Sequence, residues 1–226
     1  MHTDESGRAV KAVILDYTGV MTVALPFSPL ADDLATSHAE GDRATHDPRA
    51  ALRSMMAAEL RNPDANGAWN RLERGEITLD AFIDRFAPRL GEIAEVFRSS
   101  AGQLMASLPI RTEMVDRVAR WRGLGLRVGL LTNNITEWRP IWRAKLEEAG
   151  ALGLFDVIVD SSEVGMRKPE ARIFHHTADL LGVTVGDAVF VDDFDHNLAG
   201  ARGVGLRTLL ALPDDSHYAA LDALLG

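Results

Sequence analysis

Four short apolar runs constrain this chain more than any other feature: Ala12 to Leu15, Val128 to Leu131, Val157 to Val159 and Val189 to Val191, with Leu206 to Ala211 as a fifth candidate. None alternates apolar with polar residues as a half-exposed strand would. Continuous runs of this kind suit parallel strands under helices, because neither face of such a sheet meets water.

The stretches between them have helical spacing. Thr112 is expected to cap a helix with the stripe Val115, Val118 and Ala119, stopped by Gly123 and Gly125. After Thr136, the set Trp138, Ile141, Trp142, Leu146 and Ala149 ends at Gly150, and both tryptophans read as helix packing. Pro169 suits a first helical position ahead of Ile173, Phe174, Ala178, Leu181 and Gly182. Ser216 is expected to start the last helix, with Tyr218, Leu221 and Leu225 inward. Strands alternating with helices of this length predict an α/β fold, a doubly wound, Rossmann-like parallel sheet.

One gap breaks the alternation. More than a hundred residues separate Asp16 from Val128, whereas a strand–helix–strand crossover needs only about 30 residues. The intervening sequence has helical patterning: Leu52, Met55, Met56 and Leu60 share a face, Trp69 sits with Leu72, and Thr78 precedes Phe82, Ile83 and Phe86. Residues 23–108 are therefore expected to form a small helical cap domain, entered through a mobile polar loop from Asp32 to Pro48, with residues 1–22 and 109–226 as the core.

Composition narrows the partners. A formal charge of -9 with no Lys/Arg-rich block argues against nucleic acid and anionic membrane surfaces. The absence of cysteine excludes disulfides, thiolate metal sites and a cysteine nucleophile. The polar opening lacks a secretory pattern and no apolar run approaches a membrane span, so a cytoplasmic setting is expected.

In an open parallel sheet, ligands bind beyond the carboxyl ends of the strands where strand order switches. Asp16 follows the first run, Thr132 and Asn133 the second, and Asp192 with Asp193 the fourth, while Lys168 lies in the loop GMRKPE. Each alone has an ordinary explanation as a helix cap or loop residue. Together, three carboxylates at one sheet edge need a cation among them. Hard oxygen donors without a cysteine or histidine cluster point to Mg²⁺, which binds one or two carboxylates plus a phosphate. Lys168, the Thr132 hydroxyl and the Asn133 amide can then hold the phosphate of a small phosphorylated substrate, leaving Asp16 to attack.

The series ILDYTGV, GLLTNN, GMRKPEARIF and VFVDDFDHN resembles the four motifs of the haloacid dehalogenase superfamily, in order and with a helical cap at the first insertion point. It is most similar to the phosphatase domains at the N-terminus of soluble epoxide hydrolases, whose cap WNRLERGEITLDAF also resembles. The resemblance implies Asp16 as nucleophile, Mg²⁺ bound by Asp16, the Thr18 carbonyl and Asp193 with support from Asp192, and phosphate held by Thr132, Asn133 and Lys168. It implies turnover through an aspartyl-phosphate.

Thr18 departs from that pattern. Family phosphatases carry a second aspartate there, as acid to the leaving group and base to water, a function worth about 10² to 10⁴ in rate. Cation-pumping ATPases share a threonine at that place but span membranes. Phosphonoacetaldehyde hydrolases use a cap lysine, whereas the lysines here are Lys11, Lys145 and Lys168. A metal-free 2-haloacid dehalogenase is one alternative, although such enzymes do not keep the pair Asp192 and Asp193. A non-catalytic phosphate-binding protein is another. Of the seven histidines, His38 and His46 in the cap entry are the candidates to replace the missing acid. Arg43, Arg49, Arg53 and Arg74 read as a solvated helix face.

Overall fold

The computed structural model describes residues 9–24, 54–59 and 64–225. Five parallel strands form one sheet in the order β3-β2-β1-β4-β5. They are β1 (Ala12–Leu15), β2 (Arg127–Thr132), β3 (Val157–Asp160), β4 (Ala188–Asp192) and β5 (Arg207–Leu210). The chain builds outward from β1 to β2 and β3, then crosses back to place β4 on the other side of β1. That reversal puts the switch point between the C-terminal ends of β1 and β4, where Leu15 pairs with Val191.

Side chains alternate between two apolar layers, which is why the strand sequences contain no polar break. Val13, Leu15, Val128, Leu130, Val189 and Val191 join one layer, and Ala12, Ile14, Leu131, Ala188 and Phe190 join the other. The first layer is covered by α4 (Thr112–Gly123), α5 (Arg139–Glu148) and α9 (His217–Leu225) through Trp121, Trp142 and Leu221. The second is covered by the short α6 (Ser161–Val164), α7 (Ala171–Leu181) and α8 (Asp195–Gly203) through Val164, Phe174 and Leu198. The outer strands depart from the expected two-faced burial: Val157 and Ile158 are half-buried, and Leu210 is exposed. An edge strand has a neighbour on one side only.

The elements described between β1 and β2 are helices joined by turns, with one isolated antiparallel bridge where the segment meets the sheet. A helical stretch at 54–59 is followed by α1 (Ala68–Glu73), α2 (Leu79–Leu90) and α3 (Glu92–Ser107). Thr78 caps α2 by accepting from the Ala81 N–H at 3.2 Å. Phe82, Ile83, Phe86 and Phe97 merge with the first apolar layer of the sheet. The segment leaves and rejoins the sheet side by side, for Thr22 bridges Ile110 and the Arg111 N–H donates to the Met21 carbonyl at 2.8 Å. Leu52, Leu60 and the Asp32 to Pro48 loop lie outside the described residues. Among the described residues, no helix is long and apolar enough to cross a membrane.

Several helix starts and stripes differ from the sequence expectation. Thr112 is the first helical residue of α4, not its cap; Arg111 occupies the cap with extended backbone. The inward stripe is Met114, Val118 and Trp121, which leaves Ala119 exposed. In α5, Ala149 lies past the last turn and is exposed. Pro169 does not open α7. It sits inside a turn closed by the Glu170 N–H to the Arg167 carbonyl at 2.9 Å, and the helix begins at Ala171. In α4 tertiary packing decided the stripe, since the bulky Met114 and Trp121 fill more of the layer than alanine does.

Gly200 ties this turn to the core. A Cβ there would lie 2.6 Å from both the Cβ and the carbonyl oxygen of Pro169, so α8 can pack on the loop that carries Lys168 only with glycine at this position. We predict that Gly200→Ala lowers unfolding stability by about 1–3 kcal/mol, measured by urea denaturation; an unchanged midpoint would show that the turn yields freely.

Candidate active site

The loop after β3 delivers Lys168 to the sheet edge. Its backbone is clamped by Asn133, whose Oδ1 accepts from the Lys168 N–H at 2.8 Å and whose Nδ2 donates to the Lys168 carbonyl at 3.0 Å. The side chain then runs inward over the Phe190 ring, with Nζ 5.4 Å from its centroid. It ends between two carboxylates, 2.8 Å from Asp16 Oδ1 and 2.7 Å from Asp192 Oδ2, and is 0% exposed.

The two partners differ in what else they bind. Asp16 Oδ1 also accepts from the Tyr17 N–H at 2.7 Å. Asp192 accepts from the Phe194 N–H at 2.7 Å and from Asn197 Nδ2 at 3.1 Å on each oxygen, so its capacity is largely used. Asp193 is buried as well, yet its Oδ2 has no hydrogen-bond partner. The three carboxylates offer oxygens within 4.8 Å of one another. Gly19 makes this closeness possible: at φ 81° a Cβ would stand 2.1 Å from Asp193 Oδ2. The glycine of ILDYTGV thus lets the turn after Asp16 press against the acid after β4.

Three carboxylates face one ammonium, and the imbalance shows in their proton affinity. Burial, opposed by Lys168 and reinforced by the charge of Asp192, pushes Asp16 up to about 7. Burial, then Asp192 and Asp16, hold Asp193 well above the usual carboxylate range. Burial pulls Lys168 down, but Asp16 and Asp192 outweigh it and the ammonium is held above its ordinary value. The residues fit a divalent cation on two counts: a buried carboxylate oxygen lacks a partner, and the donor set is entirely oxygen.

Above these groups opens a cleft between the sheet edge and the inserted helices. Asp16, Thr18, Asn133, Lys168 and Asp193 line its floor, while Thr132 and Asp192 are 2% and 0% exposed in the packed sheet edge. The walls are chiefly apolar: Met56, Trp69, Phe97, Leu104 and Met105 from the inserted helices, and Trp138 from the core. Trp142 packs as expected, fully buried against Tyr17 with ring centroids 5.6 Å apart. Trp138 packs beside Trp69, 6.4 Å between centroids, and also faces the cleft.

Sequence reasoning missed four polar lining residues, Glu73, Arg167, His196 and Asn197. Glu73 Oε1 accepts from Trp69 Nε1 at 2.7 Å, and its Oε2 accepts from Arg167 Nε at 2.5 Å and Asn133 Nδ2 at 3.3 Å. One carboxylate therefore joins α1, the Lys168 loop and the end of β2. The signals were present as the four-residue spacing of Trp69 and Glu73 and as the arginine beside Lys168. Arg74 is also not on a solvated face: it is 8% exposed and bonds Glu76, Glu170 and the Ala65 carbonyl. His38, His46, Arg43, Arg49 and Arg53 lie outside the described residues.

Removing the ammonium should be costly and pH-dependent. Asp16 has a folded value raised from 3.8 to about 7, so the native state binds more protons than the unfolded chain between those values, and stability falls as pH rises through that window. We expect Lys168→Met to cost about 3–5 kcal/mol at pH 8 and clearly less at pH 5, where the carboxyls accept protons. Chemical denaturation of the metal-free protein at both pH values measures this; an equal loss at both would contradict it.

The chain is similar to known proteins. The haloacid dehalogenase-like hydrolase family matches residues 10–205. Acyl-CoA dehydrogenase family member 10 of Mus musculus is 30% identical over 237 residues, which take in 99% of this chain but 20% of that protein. Phosphatase MT3486 of Mycobacterium tuberculosis is 37% identical over 157 residues, 63% of this chain and 69% of its own length. Among solved structures, the HAD family enzyme bt-2542 of Bacteroides thetaiotaomicron, in complex with magnesium and inorganic phosphate, superposes with a TM-score of 0.61 at 21% identity, covering 93% of this chain and 99% of that one. At that identity the likeness concerns the fold. With the switch-point acids, the buried lysine and a family match over most of its length, this chain belongs to the haloacid dehalogenase-like hydrolases.

Proposed function

We propose that this protein is a Mg²⁺-dependent phosphatase or phosphotransferase acting on a small phosphorylated metabolite through an aspartyl-phosphate at Asp16. The observation that carries the proposal is the excess of buried acid over buried base at the switch point, with Asp193 Oδ2 unpartnered. The similarity to Phosphatase MT3486 supports it, as does the fold shared with an enzyme solved with magnesium and inorganic phosphate. Residues 23–108 would act as the cap and residues 1–22 with 109–226 as the core.

In this reading Asp16, Asp193 and the Thr18 carbonyl hold the ion, and Asp192 supports them from the adjoining turn. When bound, Mg²⁺ supplies the positive charge that lets a phosphoryl dianion approach a carboxylate. Lys168 orients Asp16 by its 2.8 Å contact and favours the ionised carboxylate against burial, and its third N–H remains for a phosphoryl oxygen. The Thr132 hydroxyl would be the neutral donor at the sheet edge, while the Asn133 amide, already spent on the Lys168 backbone and Glu73, would position Lys168 instead of donating to the phosphate. Asp16 attacks phosphorus, the ester oxygen leaves, and water then releases phosphate from the carboxyl. Metal-free halide displacement is the weaker reading, because it leaves Asp193 buried and unpaired with no role.

The cleft walls indicate the organic part. Met56, Trp69, Phe97, Leu104, Met105 and Trp138 present apolar surface above the attacking carboxylate. An ester whose alcohol is apolar gains from that surface about 25 cal/mol for each Å² removed from water.

We expect Mg²⁺-dependent release of phosphate from 4-nitrophenyl phosphate, loss of at least about 10³-fold in Asp16→Asn, and an intact-mass adduct of one phosphoryl group on Asp16. Turnover that survives Asp16→Asn would overturn the proposal. Phe97→Ala should raise KM for an apolar phosphate monoester by about 10-fold or more while changing KM for a small polar one little. Equal changes for both would remove the apolar-substrate reading.

A further inference from the structure

Thr18 cannot move a proton near neutral pH, so a hydrolase working through Asp16 needs another group to protonate the leaving oxygen. Among the described residues the cleft offers few. Both oxygens of Glu73 already accept from Trp69, Arg167 and Asn133. Arg167 is tied to Glu73, and Lys168 to two aspartates. His196 is different: it lines the same cleft as Asp16, and neither ring nitrogen has a hydrogen-bond partner among the described residues.

Its placement follows from the acidic turn. α8 begins at Asp195, directly after Asp192, Asp193 and Phe194, so His196 stands in the first helical turn and lines the cleft together with Asp193. Its ring meets the Phe194 ring edge-on, 5.3 Å between centroids and 82° between planes. The residue remains exposed at the cleft mouth, where its proton exchanges with solvent.

We propose that His196 is the general acid and base of this enzyme, taking the place of the carboxylate that Thr18 replaces. The proposal rests on the aspartyl-phosphate reading above. In the first half-reaction Asp16 forms a bond to phosphorus as the phosphorus–oxygen ester bond breaks, and the imidazolium proton of His196 passes to the departing alkoxide. In the second, the neutral imidazole takes a proton from water as its oxygen bonds to phosphorus and the bond to Asp16 breaks. Imidazolium, carboxylate and inorganic phosphate result, so the cycle closes.

The surroundings suit a group that changes charge. Asp192 from β4 and Glu73 from α1 favour the cation, and Arg167 and Lys168 from the loop oppose it. Although part of the residue reaches solvent, desolvation of the ring against its neighbours leads the balance and holds the imidazole below its ordinary value. An arriving phosphate adds negative charge and favours protonation as the ester binds.

The test is the rate of aspartyl-phosphate formation by rapid quench, with Mg²⁺, over phosphate monoesters of increasing leaving-group basicity. Wild type should show a shallow dependence. His196→Gln should show a steep one, losing about 10² to 10⁴ in rate on alkyl esters and little on 4-nitrophenyl phosphate. Adding Thr18→Asp to His196→Gln should restore the shallow slope, which a merely structural histidine would not allow. An unchanged slope in His196→Gln that still forms the Asp16 adduct overturns the role of His196. Absence of any adduct in wild type overturns the aspartyl-phosphate reading itself, and the role of His196 with it.

Discussion

The buried ammonium of Lys168 is the interaction on which the rest of the structure depends. An unpaired charge inside a protein costs several kcal/mol, so the loop after β3 can hold a lysine there only if the ends of β1 and β4 each bring a carboxylate within hydrogen-bond reach. They do, at 2.8 and 2.7 Å. The same ammonium is what makes it tolerable to converge three aspartates at a single sheet edge. Neither half of the arrangement is stable alone, which couples the conformation of the loop to the register of the sheet.

The charge is nonetheless unequal, and the remaining strain is concentrated where chemistry would use it. Asp192 is saturated by Lys168, Asn197 and a backbone N–H, while Asp193 keeps an oxygen without a partner and Asp16 stands at the cleft floor. A site that leaves acids in excess is poorer in intrinsic stability and better prepared for a cation. Glu73 extends this logic to the inserted helices. Held by Trp69 on its own helix, it closes onto Arg167 and Asn133, so the apolar wall and the acidic floor are joined through one buried carboxylate.

Much of this was legible in the residues. The four apolar runs became four of the five strands, and the fifth candidate became β5 with one residue trimmed at each end. The polar residues just past them lie where the chain reverses its strand order. What was less legible were the offsets. Pro169 was displaced from the helix start because the Lys168 loop needs a turn before α7 can begin. Ala119 and Ala149 have the right spacing and too little volume to hold an inward position against Met114, Trp121, Trp142 and Leu146. Arg74 resembles any surface arginine until α1 is seen to fold against Glu170.

By itself the sequence determined the layered α/β architecture, the helical insertion and the identity of the acids and lysine at the sheet edge. These follow from local periodicity and from the rule that polar residues ending buried strands share one edge. Only the tertiary structure decided which acid is saturated and which is left wanting a partner, which aromatic residues turn to the cleft, and that Glu73, Arg167 and His196 belong beside Asp16. Those assignments depend on distances between residues far apart in the chain. Hydrogen bonds and charge interactions that fall off over a few ångströms leave no periodic mark on the sequence.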